Sequence, residues 1–417
     1  VSTKGLRDYL AVATGGRQHE FFIALGLATF QGFVWGMMLT VMPLLARSLG
    51  ASEAQLGAIA IVPAVITIVF SIPGNAMALK YGRTALFISS QAAGVLCGVL
   101  FWATSSLGFM VLPQLAFGIS HMLFWPAYLA HLTEIVPVGM RARVIGYAMA
   151  VSSTGTTAGP AVGGYLIDHA GFRAVFAVYA AVSVVGCFLA RTFPESAGRK
   201  DLSVVRTLSE GVTGIGRILG RPAIQLTTLG GLLLYTNVGT IEYFLPALLR
   251  DRGYTATLIG TTVTLRTGGL AVVRLMIGDL VNKLGATILL LVSIIVCSVA
   301  AVFISVFPEP ALIFPASFIA GAAFGVCPVV ISTIIAENTQ GGDRSLGMAL
   351  DSVAVNAGRV NCGFTLGAAA QAFGFAATIV AGNAIVAAGA LALWAFYGRA
   401  GRQKLPGVAT KGTGHTA

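Results

Sequence analysis

Charge is what this chain has least of. Only 10% of its 417 residues are Asp, Glu, Lys or Arg, while 56% are hydrophobic, against roughly 25% charged in ordinary soluble proteins. That is too little polar coverage for the surface of a water-soluble fold of this size. Cysteine is also scarce. Cys97, Cys187, Cys297, Cys327 and Cys362 all fall in apolar stretches with no paired metal-ligand spacing, so they read as small buried hydrophobes rather than a disulfide framework or a metal site. The 52 glycines have no three-residue period, which removes a collagen-like chain. A net charge of +11 would suit nucleic acid only with a basic patch interleaved with aromatics, and none occurs. There is no GxxxxGK[ST] loop, no His-Glu-x-x-His pair and no plausible Ser/His/Asp set. Neither an enzyme nor a cofactor is expected.

What is present is a run of apolar segments. Charges and turn residues cut residues 21–397 into twelve stretches of roughly 20 to 28 residues, each able to cross a hydrocarbon core about 30 Å thick. Backbone groups in lipid must be satisfied internally, and the segments are too long and uniformly apolar for barrel strands. The expected fold is therefore an all-α integral membrane protein with twelve transmembrane helices. Its parts are a segment at 1–20, a six-helix half at 21–193, a hydrophilic linker at 194–221, a second six-helix half at 222–397 and a tail at 398–417. No small-residue cleavage site follows a short apolar region near the start, so the first span is expected to stay attached. With both termini inside, the outer loops hold only Arg47, Arg173, Arg250 and Arg252 of the 26 Lys and Arg residues, and Arg266 and Arg359 stay within helices. That bias puts both termini in the cytoplasm.

The halves repeat at an offset of 203. Gly36 and Pro43 recur as Gly239 and Pro246, and the same shift carries Arg47 to Arg250, Gly50 to Gly253, Gly57 to Gly260, Gly82 to Gly285, Gly118 to Gly321 and Glu134 to Glu337. One offset across several helices means two pseudo-symmetric halves inserted in the same sense, an arrangement suited to alternating access around a midplane site.

With this repeat the chain resembles the major facilitator superfamily over about residues 20–397. The most specific match is in the fifth span, where Gly146, Gly155, Gly159, Pro160, Gly163 and Gly164 reproduce the antiporter motif of the family's twelve-helix drug:proton exporters. The resemblance implies that this helix packs against the other half and governs the swing between inward-facing and outward-facing states. On packing grounds alone, the glycines could simply let helices approach. The loop after the second span keeps Lys80, Gly82 and Arg83 of the family's cytoplasmic motif, with Leu79 in place of its acid; the second copy keeps Gly278, Lys283 and Gly285, with Asn282 in that place. In the fourth span Gln114 stands where similar exporters carry an arginine used in proton coupling. The resemblance further implies a bacterial inner (plasma) membrane, a small-molecule substrate, protons as partners, and function as a monomer.

Charges inside membrane helices are costly and usually functional. At 1.5 Å per residue, Glu242 lies ~12 Å from the outer end of its helix and Arg266 ~16 Å, while Arg359 and Asp351 lie ~22 and ~10 Å from the cytoplasmic end of theirs. Glu242 is expected to face the central cavity and to exchange a proton or bind a basic group; the alternative is a static ion pair with Arg359 or Arg266. Its repeat mate Leu39 shares an i, i+4, i+8 spacing with Gln31 and Trp35, which places the three near one helix face. His121 and Trp125, also i, i+4, are candidates for the opposite wall, unless His121 only bonds a neighbour. Asn237 completes the candidate set. By depth, Asp351 is expected to pair with Arg274, and Glu134 to anchor loops near Arg141. The leading function is secondary active transport of a small molecule, outward and proton-coupled. The alternative is an uptake symporter or uncoupled facilitator for an anionic or zwitterionic metabolite; a channel or a non-transporting sensor fits the repeat less well.

Overall fold

Capping residues and left-handed glycines cut the helices, and they do so twice over. Ser52 accepts from the Gln55 N–H while its own N–H donates to the Gln55 side chain. Its counterpart 203 residues on, Thr255, accepts from the Leu258 N–H; each starts a helix. Six of the glycines with positive φ are three pairs at the same offset: Gly50 and Gly253 (81° and 86°), Gly82 and Gly285 (81° and 79°), Gly171 and Gly374 (76° and 80°). Side chains other than glycine pay heavily for this conformation, so these positions fix the turns between helices in both halves.

In the computed structural model, residues 14, 16–70, 82–137, 140–194, 214, 216–307, 309–340 and 342–397 are described. They form α1 (Gln18–Ser48), α2 (Glu53–Phe70), α3 (Arg83–Trp102) and α4 (Val111–Ile135). The stretch Arg141–Arg191 is broken at Gly171 into α5 (141–170) and α6 (172–191). The second half comprises α7 (Pro222–Asp251), α8 (Ala256–Leu284), α9 (Ala286–Val306), α10 (Pro310–Asn338), α11 (342–373) and α12 (Phe375–Tyr397). This is an all-α membrane fold of two pseudo-symmetric six-helix halves. The linker expected at 194–221 lies mostly outside the described residues, as do residues 1–13 and 398–417.

Among the described residues, nine helical stretches are long and apolar enough to span a membrane by composition, one of them the joined α5 and α6. α4 and α11 are not among them. They carry Gln114, Ser120 and His121, and Asp351, Asn356 and Arg359. Polarity that weakens a span as a span reflects its use as a wall.

The buried apolar clusters show how the halves meet. Toward the chain termini the cores are separate, one built from Phe21, Phe124, Tyr128 and Phe193, the other from Ile224, Leu290, Ile331 and Leu350. At the opposite end a single cluster unites Met38, Leu45 and Leu56 of the first half with Phe244, Leu248 and Phe375 of the second. Two backbone seams close that end. A Cβ on Gly57 of α2 would sit 2.1 Å from the Gly363 carbonyl of α11, and one on Gly260 of α8 would sit 2.3 Å from the Pro160 carbonyl of α5. The two seams are repeat mates: the 203-residue offset carries Gly57 to Gly260 and Pro160 to Gly363. Arg47 and Asp251 cross the same end at 2.5 Å, and Asp168 of α5 accepts from the backbone N–H groups of Ala256 and Thr257 at the start of α8.

Candidate functional site

Between the joined end and the separate cores lies a cavity of about 300 Å³, walled by α1, α2 and α4 from one half and α7 and α11 from the other. Its first-half wall is aromatic. Trp35 stacks on Phe117 with centroids 5.0 Å apart and on His121 at 4.1 Å. The Trp125 indole N–H donates to His121 Nδ1 at 3.2 Å. An indole nitrogen only donates, so Nδ1 carries no proton and the imidazole is neutral in this arrangement.

The second-half wall carries the charge. Glu242 lies in a widened, π-helical turn, Thr240–Phe244, in which the Leu245 N–H reaches back to the Thr240 carbonyl. Pro246 contributes, since it has no N–H to offer the Glu242 carbonyl four residues earlier, but it does not suffice: its repeat mate Pro43 lies inside a continuous α-helix. The carboxylate is held from both sides. Arg359 of α11 donates to Oε2 at 3.3 Å and Arg266 of α8 lies 3.6 Å from Oε1. Arg359 also lies over the rings of Tyr235 (5.0 Å) and Trp35 (5.8 Å), so it touches both halves; Arg266 lies over Phe324 at 5.5 Å. Such contacts partly replace the lost hydration of an arginine. Glu242, Arg359, Trp35, His121, Trp125 and Gln114 line the cavity. Arg266 supports Glu242 from behind, with 5% of its side chain exposed.

Other expected site residues are elsewhere. Gln31 is buried beside Ser120 and accepts from Gln91, tying α1 to α3 and α4. The reason is geometric: eight residues at 100° each leave it 80° round the helix from Leu39. Asn237 is also fully buried, bonded to Asn383 and to Ser298 at 3.2 Å, in a network inside the second half. Asp351 and Arg274 do not pair. Arg274 donates instead to Ser153 of α5 at 3.1 Å, across the halves, and Asp351 leaves one buried oxygen without a partner. Depth along a helix says nothing about azimuth, which is why that pairing failed. Glu134 pairs with Arg83 and with Arg17, giving Arg83 the carboxylate that position 79 lacks. The side chain of Arg141 is outside the described part, as are Leu79 and Lys80; Gly278 and Asn282 fall on α8 with side chains likewise undescribed. Gly285 and Gly82 are the left-handed hinges already noted, and Lys283 is exposed at the end of α8.

The glycine motif of α5 serves two partners. A Cβ on Gly155 or Gly159 would meet the Thr29 or Phe33 carbonyl of α1 at 2.0 and 2.3 Å, and Gly163 faces Val41, all within one half. Only Gly164, 2.2 Å from the Ala256 carbonyl, and Pro160 face the other half, while Gly146 faces open space. Sequence reasoning passed over Tyr235, Tyr243, Ser352 and Asn356. The spacing Ser352, Asn356, Arg359 on one face of α11 was the available signal.

Comparison with known proteins agrees with this geometry. Sequence profiles described as "Major Facilitator Superfamily" and "MFS_1 like family" match residues 24–230 and 172–379. MFS-type transporter ppzB of Metarhizium rileyi (strain RCEF 4871) is 29% identical over 168 residues, 39% of this chain but only 35% of that protein. Multidrug resistance protein Stp of Mycobacterium tuberculosis (strain CDC 1551 / Oshkosh) is 23% identical over 367 residues, covering 75% of this chain and 68% of that one. Among solved structures, the nucleoside transporter NupG superposes with a TM-score of 0.75 at 12% identity, over 90% of this chain and 98% of that one. Two repeated six-helix halves, a shared mid-depth cavity and these matches identify the chain as a multi-pass membrane transporter of the major facilitator superfamily.

Proposed function

We propose that the protein carries a small molecule out across the membrane by alternating access, in exchange for protons, with Glu242 as the proton-exchanging carboxyl. The observation that carries the reading is the cavity bounded by joined cores at one end and separate cores at the other. Rocking the halves about such a site exchanges its access between the two faces. Outward transport is supported by the six-residue motif of α5 and by relatives named multidrug resistance proteins. The charge bias puts both termini in the cytoplasm. The joined end is then outside, and the arrangement described is inward-facing. The moving bodies are residues 21–193 and 222–397, working as a monomer in a bacterial inner membrane.

One observation favours a second reading. Glu242 is clamped by two arginines, so protonating it frees Arg359 for an anion, and proton and substrate would assist each other as in symport. Flux into proteoliposomes under imposed pH gradients of either sign separates the two. Exchange is driven by protons moving opposite to substrate, symport by protons moving with it. Flux indifferent to the gradient overturns both, and Glu242→Gln should transport without pH dependence.

A further inference from the structure

The charge at the centre of the cavity does not balance. Among the described residues, Glu242 is the one anion at mid-depth facing two cations, Arg266 and Arg359. Asp351 and Arg274 stand further toward the termini, where Arg274 bonds Ser153 and the two do not meet. His121 is neutral by the hydrogen bond it accepts. A net positive charge at membrane depth is expensive unless something pairs it. The two arginines are not equally free to be paired. Arg266 is tucked behind Glu242, whereas Arg359 lines the cavity with 16% of its side chain exposed. Both have buried nitrogens without a hydrogen-bond partner, but only Arg359 presents its guanidinium to the cavity, and its hold on Glu242 is a single bond at 3.3 Å.

The surroundings of Arg359 are flat and apolar. Trp35 lies beneath it, stacked in turn on Phe117 at an interplanar angle of 15°, and Met38, Met42 and Met122 fill much of the remaining wall. Methionine and aromatic faces suit a planar guest. At about 300 Å³ the cavity is at the small end of the ~300–1,000 Å³ usual for small-molecule sites. We propose that it takes a small aromatic monoanion such as an aryl carboxylate, with the anionic group on Arg359 and the ring against the Trp35 wall. One negative charge completes the balance. A dianion overshoots it, a neutral molecule leaves Arg359 unsatisfied, and a cation meets two arginines at its own depth.

This substrate class rests on the cavity being the transport site, but it can be tested by binding alone. Full-length protein in nanodiscs is titrated with 1-naphthoate, with the near-isosteric 1-naphthamide and with 1-naphthylmethylamine, using isothermal calorimetry. The acid should bind at least tenfold more tightly than the amide, and the amine more weakly still. Arg359→Gln should bring acid and amide to equal affinity, with the surviving amide binding showing that the variant is folded. Arg359→Lys should keep part of the preference. Glu242→Gln, which unties Arg359, should tighten the acid severalfold, the positive coupling of proton and anion that belongs to the symport reading. An amide or amine that binds as well as the acid overturns the proposal, as does an acid preference that survives Arg359→Gln, or no binding of the acid at millimolar concentration. Because no gradient is involved, loss of the acid preference with intact flux refutes only the substrate class. Acid binding without flux of any substrate refutes only the transport reading.

Discussion

The two backbone seams predict that one added methyl group can move the transport equilibrium, depending on where it is placed. In Gly260→Ala the new Cβ would stand 2.3 Å from the Pro160 carbonyl, where ordinary contact begins at 3.4 Å, so α5 and α8 must separate by about 1 Å at the joined end. Overpacking of this kind costs about 1–3 kcal/mol. The cost falls on the arrangement in which the seam is shut and disappears when the halves part there. At about 1.4 kcal/mol per tenfold, the equilibrium should move roughly 5- to 150-fold toward the state open at that end. Gly57→Ala, 2.1 Å from the Gly363 carbonyl, should act the same way through the symmetric seam. The control is Gly155→Ala. Its Cβ would be 2.0 Å from the Thr29 carbonyl, an equal clash, but inside one half and present in both states. The assay places a cysteine at Leu39 in the cavity wall, in a background without Cys187, the one native cysteine that is not buried, and labels it with an impermeant maleimide from each face. Gly260→Ala and Gly57→Ala should raise labelling from the face opposite the termini; Gly155→Ala should lower the Tm and leave the labelled face unchanged. If all three lower the Tm alike and none changes the side of access, the seams are structural packing and the gating argument is wrong.

Other contacts at the same end should act more weakly. Arg47→Gln removes the bond to Asp251 at 2.5 Å, but the pair is partly exposed, so under ~1 kcal/mol is expected, a shift of less than about fivefold in the same labelling assay. Asp168→Ala removes the cap that crosses from α5 to the start of α8; at ~0.5–2 kcal/mol for a lost cap it should exceed Arg47→Gln and point the same way. Asn383→Leu removes one of the two hydrogen bonds that the buried Asn237 makes inside the second half. It should cost ~1–3 kcal/mol, read as a lower Tm, while the relative affinities of different ligands stay the same.

Spans, halves and repeat were legible in the sequence because they follow from composition and from a register that survives any rotation of the helices. Glu242 was legible for a related reason: a carboxylate at membrane depth needs partners, and only a few cations share its depth. What could not be read was azimuth. Gln31 and Trp35 are one turn apart, yet the 40° drift of each four-residue step leaves Trp35 in the cavity and turns Gln31 into the bundle. Asp351 and Arg274 match in depth and do not meet. The partners of Glu134, Arg17 and Arg83, lie 117 and 51 residues away, and no local pattern links them. The widened turn at Glu242 re-aims that helix by a fraction of a turn, and Pro246 does not announce it, since its repeat mate Pro43 lies in a regular helix.

The repeat is therefore symmetric in its mechanics and asymmetric in its chemistry. Gly155 against the carbonyl of residue 29 is repeated by Gly358 against that of residue 232, and Gly118 against residue 63 by Gly321 against residue 266. Both halves pack by the same contacts, although widened turns occur in the second half alone among the described residues, at Thr240–Phe244 and Cys362–Leu366. The charged residues break that equivalence: Glu242, Arg266 and Arg359 stand where the first half has Leu39, Pro63 and Thr156. An apolar, aromatic wall faces a charged one across a single cavity. On the proposed reading each half can then move as a rigid body, while discrimination by charge falls to the cavity-facing contacts of α7 and α11. Substitutions at Leu39 should accordingly alter how tightly ligands of all charges fit, and those at Arg359 should alter which charge is accepted. A Leu39→Ala variant that reversed the preference between acid and amide would contradict that division.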